Sequence, residues 1–474
     1  MIADARFLAV RNALVESART LAGMHSEHEV LAWLDERTAA HQYSVERIPL
    51  EVLRGWRVDP TTGDVGHSSG KFFTVAGLDV QVRGATARHW SQPIIVQPEV
   101  GILGFIAQRH DGVLHLLVQA KMEPGNVNLV QISPTVQATH SNYSQVHGGR
   151  RPLFMEYFVE SGRGITLVDQ LQSEQGARYL HKRNRNVIIL VPDDEVIVVP
   201  EDFRWVTLGQ LQRLHRHPNV VHLDCRSIIG SLSLVPDPAS AATQESTSFG
   251  RDVLASLACP DSDAEHAMPE IMGWMTRMKI QHELRAVRIP LEDTHGWHTR
   301  SGMIEHELGR FFRIIGVDVR ASSREVVSWC QPLIHSVEGG VLALLLQRRG
   351  GVPHALVQAR LEPGFVDAIE FAPTIQYAPI NYGAPLSAPF PPFIEVLERL
   401  RADQVRIDTT LSDEGGRFYH SHQRHVVAEI DTDETLDLPE NFRWMTLAQL
   451  HACVRFSFML NIELRSLLSC MSLV

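Results

Sequence analysis

The sequence predicts a tandem duplication of one α+β domain, and three observations lead to this fold class. Residues 119–143 recur as residues 358–382, so that the tripeptide EPG at 123–125 returns at 362–364, 239 positions later. A chain of 474 residues is too long for one hydrophobic core. Both copies combine helical periodicity with strand-like runs, and strands outnumber those of a regular βαβ alternation. We therefore expect two units of about 230 residues, each of the α+β class.

The predicted elements follow the same order in both copies. Each copy opens with an apolar helical pattern, which contains Trp33 in the first copy and Trp274 in the second. Runs rich in β-branched residues and bounded by Gly and Pro then predict buried strands, and short helices with proline in the first turn come next. Thr207 and Thr446 are placed to cap a closing helix in each copy. The predicted strands are residues 101–108, 113–119, 341–347 and 352–358, and the proline-led helices are residues 152–160 and 391–399.

A linker is predicted between the copies. Residues 236–250 are rich in Ala, Ser, Thr and Pro, which is a composition typical of linkers. The first repeat then comprises residues 1–235 and the second comprises residues 251–474.

Composition and charge exclude several classes of protein. The net charge is −11, and the 44 Lys and Arg residues are scattered, so no nucleic-acid interface is indicated. No run approaches 18 apolar residues, which excludes a helical membrane span, and Asp4 and Glu16 make the N-terminus an amphipathic helix rather than a signal peptide. The five cysteines form no CxxC pair, which favours free thiols and a cytoplasmic location.

Many of the residues that both copies share are polar, which indicates a shared binding site. The alternative is that they cap helices and satisfy buried backbone groups. Arg185 and Arg424 offer planar donors for a diphosphate, although a surface ion pair would explain them equally. Trp56 and Trp297 each follow a glycine and suit stacking on a base or sugar, with a core position as the alternative.

No metal site is predicted. His420, His422 and His425 have strand-like spacing, but the first copy has His181, Arg183 and Asn186 at the same positions. The sequence also contains no HExxH or GxxxxGK motif.

With these features assembled, the chain resembles the NDP-hexose 2,3-dehydratases of deoxysugar biosynthesis. The resemblance rests on QATHSNYSQVHGG (residues 137–149), EYF (156–158), the segment 173–186, SDEGGRFY (412–419) and the two FRW closings. It implies two Nudix-like modules per chain, a homodimer, and a nucleotide-sugar pocket in each module, of which one is catalytic and the other a remnant of duplication. Neither copy carries the glutamate-rich box with which Nudix hydrolases hold Mg²⁺, so pyrophosphate hydrolysis is not expected.

The implied substrate is dTDP-4-keto-6-deoxyglucose, and the implied reaction removes H3 and the C2 hydroxyl to give a 3,4-diketo-2,6-dideoxy sugar nucleotide. The reaction needs a base at C3, a donor to the C4 enolate oxygen and an acid at the departing oxygen, but no cofactor. A downstream 3-ketoreductase would consume the unstable product. The candidate proton carriers are His147, Tyr143 and Glu174 in the first copy and Tyr382, Glu414 and Tyr419 in the second.

The residues predicted to bind the substrate are also spread over both copies. His147 corresponds to Leu386, so the copies differ at a titratable group, which suits one working pocket and one idle pocket without deciding between them. The predicted binding residues are Trp56, Gln137, Asn142, Gly148, Gly149, Arg151, Arg185 and Asn186 in the first copy, and Trp297, Arg310, Gln376, Asn381, Gly416, Arg417 and Arg424 in the second.

The sequence is also compatible with two other functions. A nucleotide-sugar-binding module without catalysis would bind dTDP but exchange no C3 hydrogen with solvent. A divergent Nudix-type pyrophosphatase would release dTMP only with Mg²⁺.

Overall fold

The computed structural model describes residues 2–84, 87–139, 151–232, 234, 247–384 and 390–473. It contains two similar halves, each with one five-stranded sheet, one seven-stranded sheet and several helices packed on them. The predicted α+β class and the predicted duplication are confirmed. The finer Nudix-like assignment stays a prediction.

The first half contains five described α-helices and twelve described strands. The helices are α1 (Ile2–Arg19), α2 (Glu27–Ala40), α3 (Glu156–Val159), α4 (Leu208–Leu214) and α5 (Leu223–Ile229). The strands are β1 (Tyr43–Ile48), β2 (Trp56–Val58), β3 (Val65–His67), β4 (Thr74–Arg83), β5 (Arg88–Val96), β6 (Gly101–His110), β7 (Val113–Met122), β8 (Val130–Pro134), β9 (Val136–Ala138), β10 (Ile165–Ser173), β11 (Arg183–Leu190) and β12 (Phe203–Thr207).

The second half repeats this order over its described residues. The helices are α6 (Ser248–Leu257), α7 (Met268–Gln281), α8 (Ile394–Glu398), α9 (Leu447–Val454) and α10 (Ile462–Ser469). The strands are β13 (Glu283–Ile289), β14 (Trp297–Arg300), β15 (Met303–His306), β16 (Phe312–Ala321), β17 (Ser328–Ser336), β18 (Gly340–Arg349), β19 (Val352–Leu361), β20 (Ile369–Ala372), β21 (Ile375–Tyr377), β22 (Val405–Ser412), β23 (His422–Glu429) and β24 (Phe442–Met445).

The two large sheets have the same topology. The strand order is β10-β11-β6-β7-β12 in the first half, with β8 beside β7 and β9 beside β6, and the second half matches it strand for strand. One pair in each sheet is parallel, β11 with β6 and β23 with β18. Residues 101–108 of β6 are all buried because both faces of the sheet are covered.

The two halves exchange their first strands. Strand β1 pairs with β16 of the second half, from Tyr43 opposite Ala321 to Ile48 opposite Gly316. Reciprocally, β13 pairs with β4 of the first half. Each small sheet therefore contains a strand from the other half, and the halves are interlocked rather than joined only by a linker.

The polar residues of the closing FRW motif have a structural explanation. Arg204 lies over the ring of Trp33 at 5.5 Å, and Arg443 lies over Trp274 at 5.2 Å. The predicted caps are confirmed, since the side chains of Thr207 and Thr446 each accept a hydrogen bond from the third residue of the following helix. This repeated motif therefore fastens the second helix of each half, α2 or α7, to its large sheet.

Several local predictions are corrected or completed by the structure. The proline-led helices are shorter than predicted, comprising only Glu156–Val159 and Ile394–Glu398, and helix α6 begins at Ser248, inside the predicted linker. All five cysteines are free thiols, as predicted, and the structure shows that all five are buried. Among the described helices, none is long and apolar enough to cross a membrane.

Candidate active site

A cavity of about 240 Å³ lies where the large sheet of the first half meets the second half. This volume is many times the space that one water molecule needs. The first half supplies the ends of β6, β7 and β11, whereas the second half supplies residues 324–331 and the turn at 414–417. Residues of both halves therefore line the cavity.

The repeated EPG loop explains how the halves meet at this cavity. The amide of Gly125 donates to the carbonyl of Gly415 at 2.7 Å, and the amide of His420 donates to the carbonyl of Gly125 at 2.8 Å. A Cβ atom on Gly125 would lie 1.7 Å from the carbonyl oxygen of Phe418, so a side chain is excluded there. Gly364 makes the reciprocal contacts with Gly176 and His181. The loop brings Glu123 to the acidic turn of the opposite half.

A buried network of charged and polar groups forms the inner wall of the cavity. Because Nδ1 of His222 accepts from the amide of Asp224, its Nε2 carries the proton donated to Glu123 Oε2 at 2.9 Å. Gln137 donates to Glu123 Oε1 at 2.8 Å, and Lys121 donates to Gln137 Oε1 at 2.9 Å. The pKa of Glu123 is lowered despite its burial, chiefly by His222 and then by Lys121. Glu123 is thus a fixed anion.

Two further carboxyl groups stand beside this anion. Burial, followed by the charge of Asp224, raises the pKa of Glu174 to about 7. Burial, followed by the charge of Glu123, raises the pKa of Asp224 to about 7 as well. Asn184 holds Oε1 of Glu174 at 2.6 Å. Both groups are poised to exchange a proton near neutral pH.

Glu414 enters the same cavity from the second half. Burial and the negative charge of Glu123 raise the pKa of Glu414 to about 8, so its acid form predominates at pH 7. Tyr179 donates its hydroxyl hydrogen to Glu414 Oε2 at 3.1 Å, and burial raises the pKa of the phenol well above its ordinary value. Glu414 and Tyr179 are therefore both protonated at neutral pH and can both donate a hydrogen bond or a proton.

Lys182 is a cation that lines the cavity together with these acidic groups. Its ammonium donates to the carbonyl of Glu99 at 2.6 Å, and burial lowers its pKa to about 8. The ammonium form still predominates at pH 7, and a buried cation of this kind can stabilise developing negative charge strongly.

Aromatic rings and two arginines form the outer part of the cavity. Trp56 donates from Nε1 to the carbonyl of Cys330 at 2.7 Å and packs on Phe73 with ring centroids 4.8 Å apart. The guanidinium of Arg417 lies over Phe73 at 4.3 Å, and its buried Nε has no hydrogen-bond partner among the described residues. Arg324 donates to the carbonyl of Met122 at 3.0 Å and also lines the cavity. These groups suit a base and a diphosphate.

The equivalent positions in the opposite halves carry fewer protonatable groups. Phe418, Ser421 and Asn461 of the second half correspond to Tyr179, Lys182 and His222. Gln175 of the first half corresponds to Glu414. Asn461 donates to Gln376, and Ser421 donates to Asp413, so these substitutes are used in local hydrogen bonds. The phenol of Tyr179, the ammonium of Lys182, the imidazole of His222 and the carboxyl group of Glu414 therefore have no counterpart in the repeat.

The structure places six of the predicted site residues together around the first-half cavity. They come from widely separated stretches of the sequence, and they are Trp56, Gln137, Glu174, Glu414, Gly416 and Arg417.

Other predicted residues lie away from this cavity. Arg185 forms a two-pronged pair with Asp169 and Arg424 forms the same pair with Asp408, so the surface-pair alternative describes both in this structure. Asn186 is buried and donates to Ser227, whereas Arg151 is exposed.

The predicted residues of the second half that do not line the cavity contact other parts of the protein. Trp297 is buried and donates to the carbonyl of Ser91, while Arg310 donates to the carbonyls of residues 382–384. Gln376 donates to Glu362, and Asn381 accepts from the amide of Phe311. The ring of Tyr382 stacks on Phe390, and the ring of Tyr419 stacks on His420. The predicted residues Asn142, Tyr143, His147, Gly148 and Gly149 lie outside the described residues.

Several residues that line the cavity carry no motif or repeated pattern that predicted a role for them. They are Lys121, Tyr179, Lys182, Asp224 and Arg324. A signal for Tyr179 and Lys182 did exist, because they belong to the segment 173–186 and change type between the copies. Arg324 corresponds to Ala85 in the repeat, which is also a difference rather than a match.

Comparison with known proteins points to one family. The model of the NDP-hexose 2,3-dehydratase family matches residues 27–232 and residues 268–471, that is, both halves.

Three relatives align over almost the whole chain, and each is a dTDP-4-dehydro-6-deoxy-alpha-D-glucopyranose 2,3-dehydratase. The protein of Saccharopolyspora spinosa is 43% identical over 450 residues, covering 94% of this chain and 91% of the relative. The protein of Amycolatopsis orientalis is 41% identical over 462 residues, with coverages of 96% and 92%. The protein of Streptomyces violaceoruber is 43% identical over 442 residues, with coverages of 93% and 95%.

Proposed function

Because the chain belongs to the NDP-hexose 2,3-dehydratase family, we propose that it dehydrates dTDP-4-dehydro-6-deoxy-glucose across C2 and C3, and that it does so in the first-half cavity. The observation that carries this location is the cluster of Tyr179, Lys182, Glu174 and Glu414 around one cavity. At three of these four positions the other half of the chain has a residue that cannot titrate.

The proposed base is Glu174. Asn184 holds one carboxylate oxygen, which leaves the other to accept the C3 proton. A pKa of about 7 gives this group a substantial ionised fraction at neutral pH while keeping it basic enough to accept a proton. The C4 carbonyl takes up the electron pair of the broken C3–H bond and becomes an enolate, toward which Lys182 donates.

The proposed acid is Glu414. The enolate re-forms the C4 carbonyl, a C2–C3 double bond forms, and the C2–O bond breaks while Glu414 gives its proton to the departing hydroxyl. One water molecule leaves. The remaining C3 enol takes a proton at C2 and loses its hydroxyl proton, which gives the 3,4-diketo-2,6-dideoxy sugar nucleotide. Tyr179 is hydrogen-bonded to Glu414 and supports its acid form.

The outer part of the cavity is proposed to hold the nucleotide. Arg417 and Arg324 would pair with the diphosphate, and Trp56 would stack on thymine or the sugar. The predicted roles of Tyr143 and His147 stay proposals, and both residues belong to the stretch that follows Gln137.

The finer expectations for the assembly are also proposals. Each half is proposed to be Nudix-like, and the chain to work as a cytoplasmic homodimer before a 3-ketoreductase that consumes its product. Val196 and Val198 support the dimer, because they are 88% and 81% exposed while the second half has Thr435 and Asp437 there. Sedimentation velocity on the protein and on Val198→Asp tests this, since a monomeric parent protein would contradict it.

The function is tested by incubating the purified protein with dTDP-4-dehydro-6-deoxy-glucose and a ketoreductase that traps the diketone. The expected result is a trapped 2-deoxy sugar, with deuterium at C2 when the reaction runs in D₂O. Binding of the substrate without any 2-deoxy product would contradict catalysis and favour a binding module. Release of dTMP that requires Mg²⁺ would instead indicate a pyrophosphatase.

A further inference from the structure

A buried arginine of the second half reaches the strand end that carries Glu174. Arg465 lies on α10, and its side chain is fully buried. Its Nη2 donates to the carbonyl of Ser173 at 2.6 Å, and its Nε donates to Ser227 Oγ at 3.2 Å. Ser173 is the last residue of β10, so this contact lies one peptide bond from Glu174.

The same serine is held a second time by the second half. Its hydroxyl donates to Glu370 Oε2 at 2.6 Å. Within the first half, the amide of Glu174 donates to the carbonyl of Lys182 at 3.1 Å. Both ends of the Ser173–Glu174 peptide are therefore hydrogen-bonded, and the bond from Arg465 to its carbonyl end comes from the opposite half.

The reciprocal contact shows that this geometry belongs to the duplicated fold. Arg226 on α5 corresponds to Arg465, and its Nη2 donates to the carbonyl of Ser412, the last residue of β22. The hydroxyl of Ser412 accepts from Gln131 at 2.7 Å. The residue after Ser412 is Asp413, whose carboxylate accepts from Ser421 and Gln423 of the second half rather than lining the first-half cavity.

We infer that Arg465 is a positioning residue for the dehydration, holding the Ser173 carbonyl so that the Glu174 carboxylate faces the substrate. This inference rests on the proposed function, because it takes Glu174 as the base. Arg465 itself touches no substrate, since it does not line the cavity. The second half thus holds the peptide beside the proposed base through Arg465 and also supplies Glu414 to the cavity.

Several charged groups act on Glu174 together with Arg465. Asp224 raises the pKa of Glu174, whereas Arg465 and Lys182 lower it. Tyr179 is also close enough to be affected by the charge of Glu174. Loss of the Arg465 charge should therefore raise the pKa at which Glu174 becomes a usable base.

The test compares Arg465→Gln with the parent protein in the trapped dehydration assay between about pH 5.5 and pH 9, a range that spans the ionisation of a general base. We expect kcat to fall about 10- to 100-fold, because a small displacement of a catalytic group is costly. The acid limb of kcat/KM should move to higher pH by about one unit. KM should change little, and Arg465→Lys should recover the position of the acid limb with an intermediate kcat.

Arg226→Gln and Arg226→Lys are the matched controls, because Arg226 has the same burial and the same kind of carbonyl contact. Thermal unfolding of all variants measures the structural damage. An acid limb that stays in place in Arg465→Gln, or moves equally in Arg226→Gln, would overturn the inference. If the glutamine variants do not fold, a kcat loss in Arg465→Lys that is no larger than in Arg226→Lys at equal stability would overturn it. A parent protein without dehydratase activity would instead refute the proposed function.

Discussion

Replacing Glu414 by glutamine should separate catalysis from stability in this protein. The change keeps the shape of the side chain and removes its proton, and glutamine is the residue that the first half itself carries at the corresponding position, Gln175. A positioned general acid contributes about 10²- to 10⁴-fold in rate. We therefore expect kcat to fall by about that factor, with KM changed by less than about threefold.

The same substitution should stabilise the fold at neutral and alkaline pH. The pKa of Glu414 rises from its ordinary value of 4.5 to about 8 because of burial and the nearby Glu123. Between these pH values the folded protein retains a proton that the unfolded chain releases. The stability from this group is therefore complete below pH 4.5 and is lost as the pH rises through about 8.

Glutamine cannot ionise, so the variant avoids this loss. The full shift in pKa corresponds to about 4 kcal/mol at pH 8. We expect about half of it, because relaxation around a buried charge reduces such penalties. The gain in unfolding free energy is then on the order of 2 kcal/mol at pH 8, and it vanishes near pH 4.5.

Urea unfolding of both proteins at about pH 5 and about pH 8, together with the trapped assay, measures both effects. A variant of Glu414 that keeps full activity would refute its role as the acid. Equal stability of the two proteins at the higher pH would refute its burial as a neutral group.

Further substitutions test the other assignments. Tyr179→Phe should lower kcat about tenfold or more by removing the hydrogen bond to Glu414. Phe418→Tyr, the reverse change in the second half, should leave kcat within about twofold. Equal effects of the two substitutions on kcat would contradict catalysis in the first-half cavity. Lys182→Ser installs the residue that the second half has at this position. It should lower kcat about 10²- to 10³-fold by removing a donor to the enolate. Steady-state kinetics that show unchanged activity would exclude Lys182 as this donor. Arg185→Ala and Arg424→Ala each remove a partly exposed ion pair. Both substitutions should therefore leave KM unchanged and lower the unfolding free energy by less than about 1 kcal/mol. A rise in KM of about tenfold would instead show that these arginines bind the diphosphate.

The sequence was sufficient for the duplication and for part of the cavity. The EPG repeat predicted a shared feature, and the structure shows that Gly125 must lack a side chain where the halves touch. Glu174 and Glu414 were both predicted as proton carriers, and each lies in an acidic turn that begins with a serine. That they would enter one cavity was not predictable, since this depends on contacts between the halves that no local pattern encodes.

The arginines show a second limit of sequence patterns. Arg185 and Arg424 lie on strands, where they pair with an aspartate of the neighbouring strand. Arg417 lies in a turn and faces the cavity. The residue type is the same in all three cases, so only the tertiary partner distinguishes a surface pair from a cavity donor.

Positions at which the two copies carry the same residue were also less informative about the cavity than positions at which the copies differ. Tyr179 and Lys182 are replaced in the second half, so a comparison that favours residues kept in both copies does not find them. A site that works in one copy only is expected to be marked by groups that the other copy has replaced.

The hexose is proposed to be dehydrated in the first-half cavity, between Glu174 and Glu414. A crystal structure of Glu174→Gln with dTDP-4-dehydro-6-deoxy-glucose would locate the hexose, because the variant keeps the shape of the site while removing the proposed base. We expect the hexose in this cavity, with C3 about 3–3.5 Å from the substituted side chain and the C2 hydroxyl hydrogen-bonded to Glu414. A hexose bound instead among the corresponding residues of the second half, with the first-half cavity empty, would contradict this proposal.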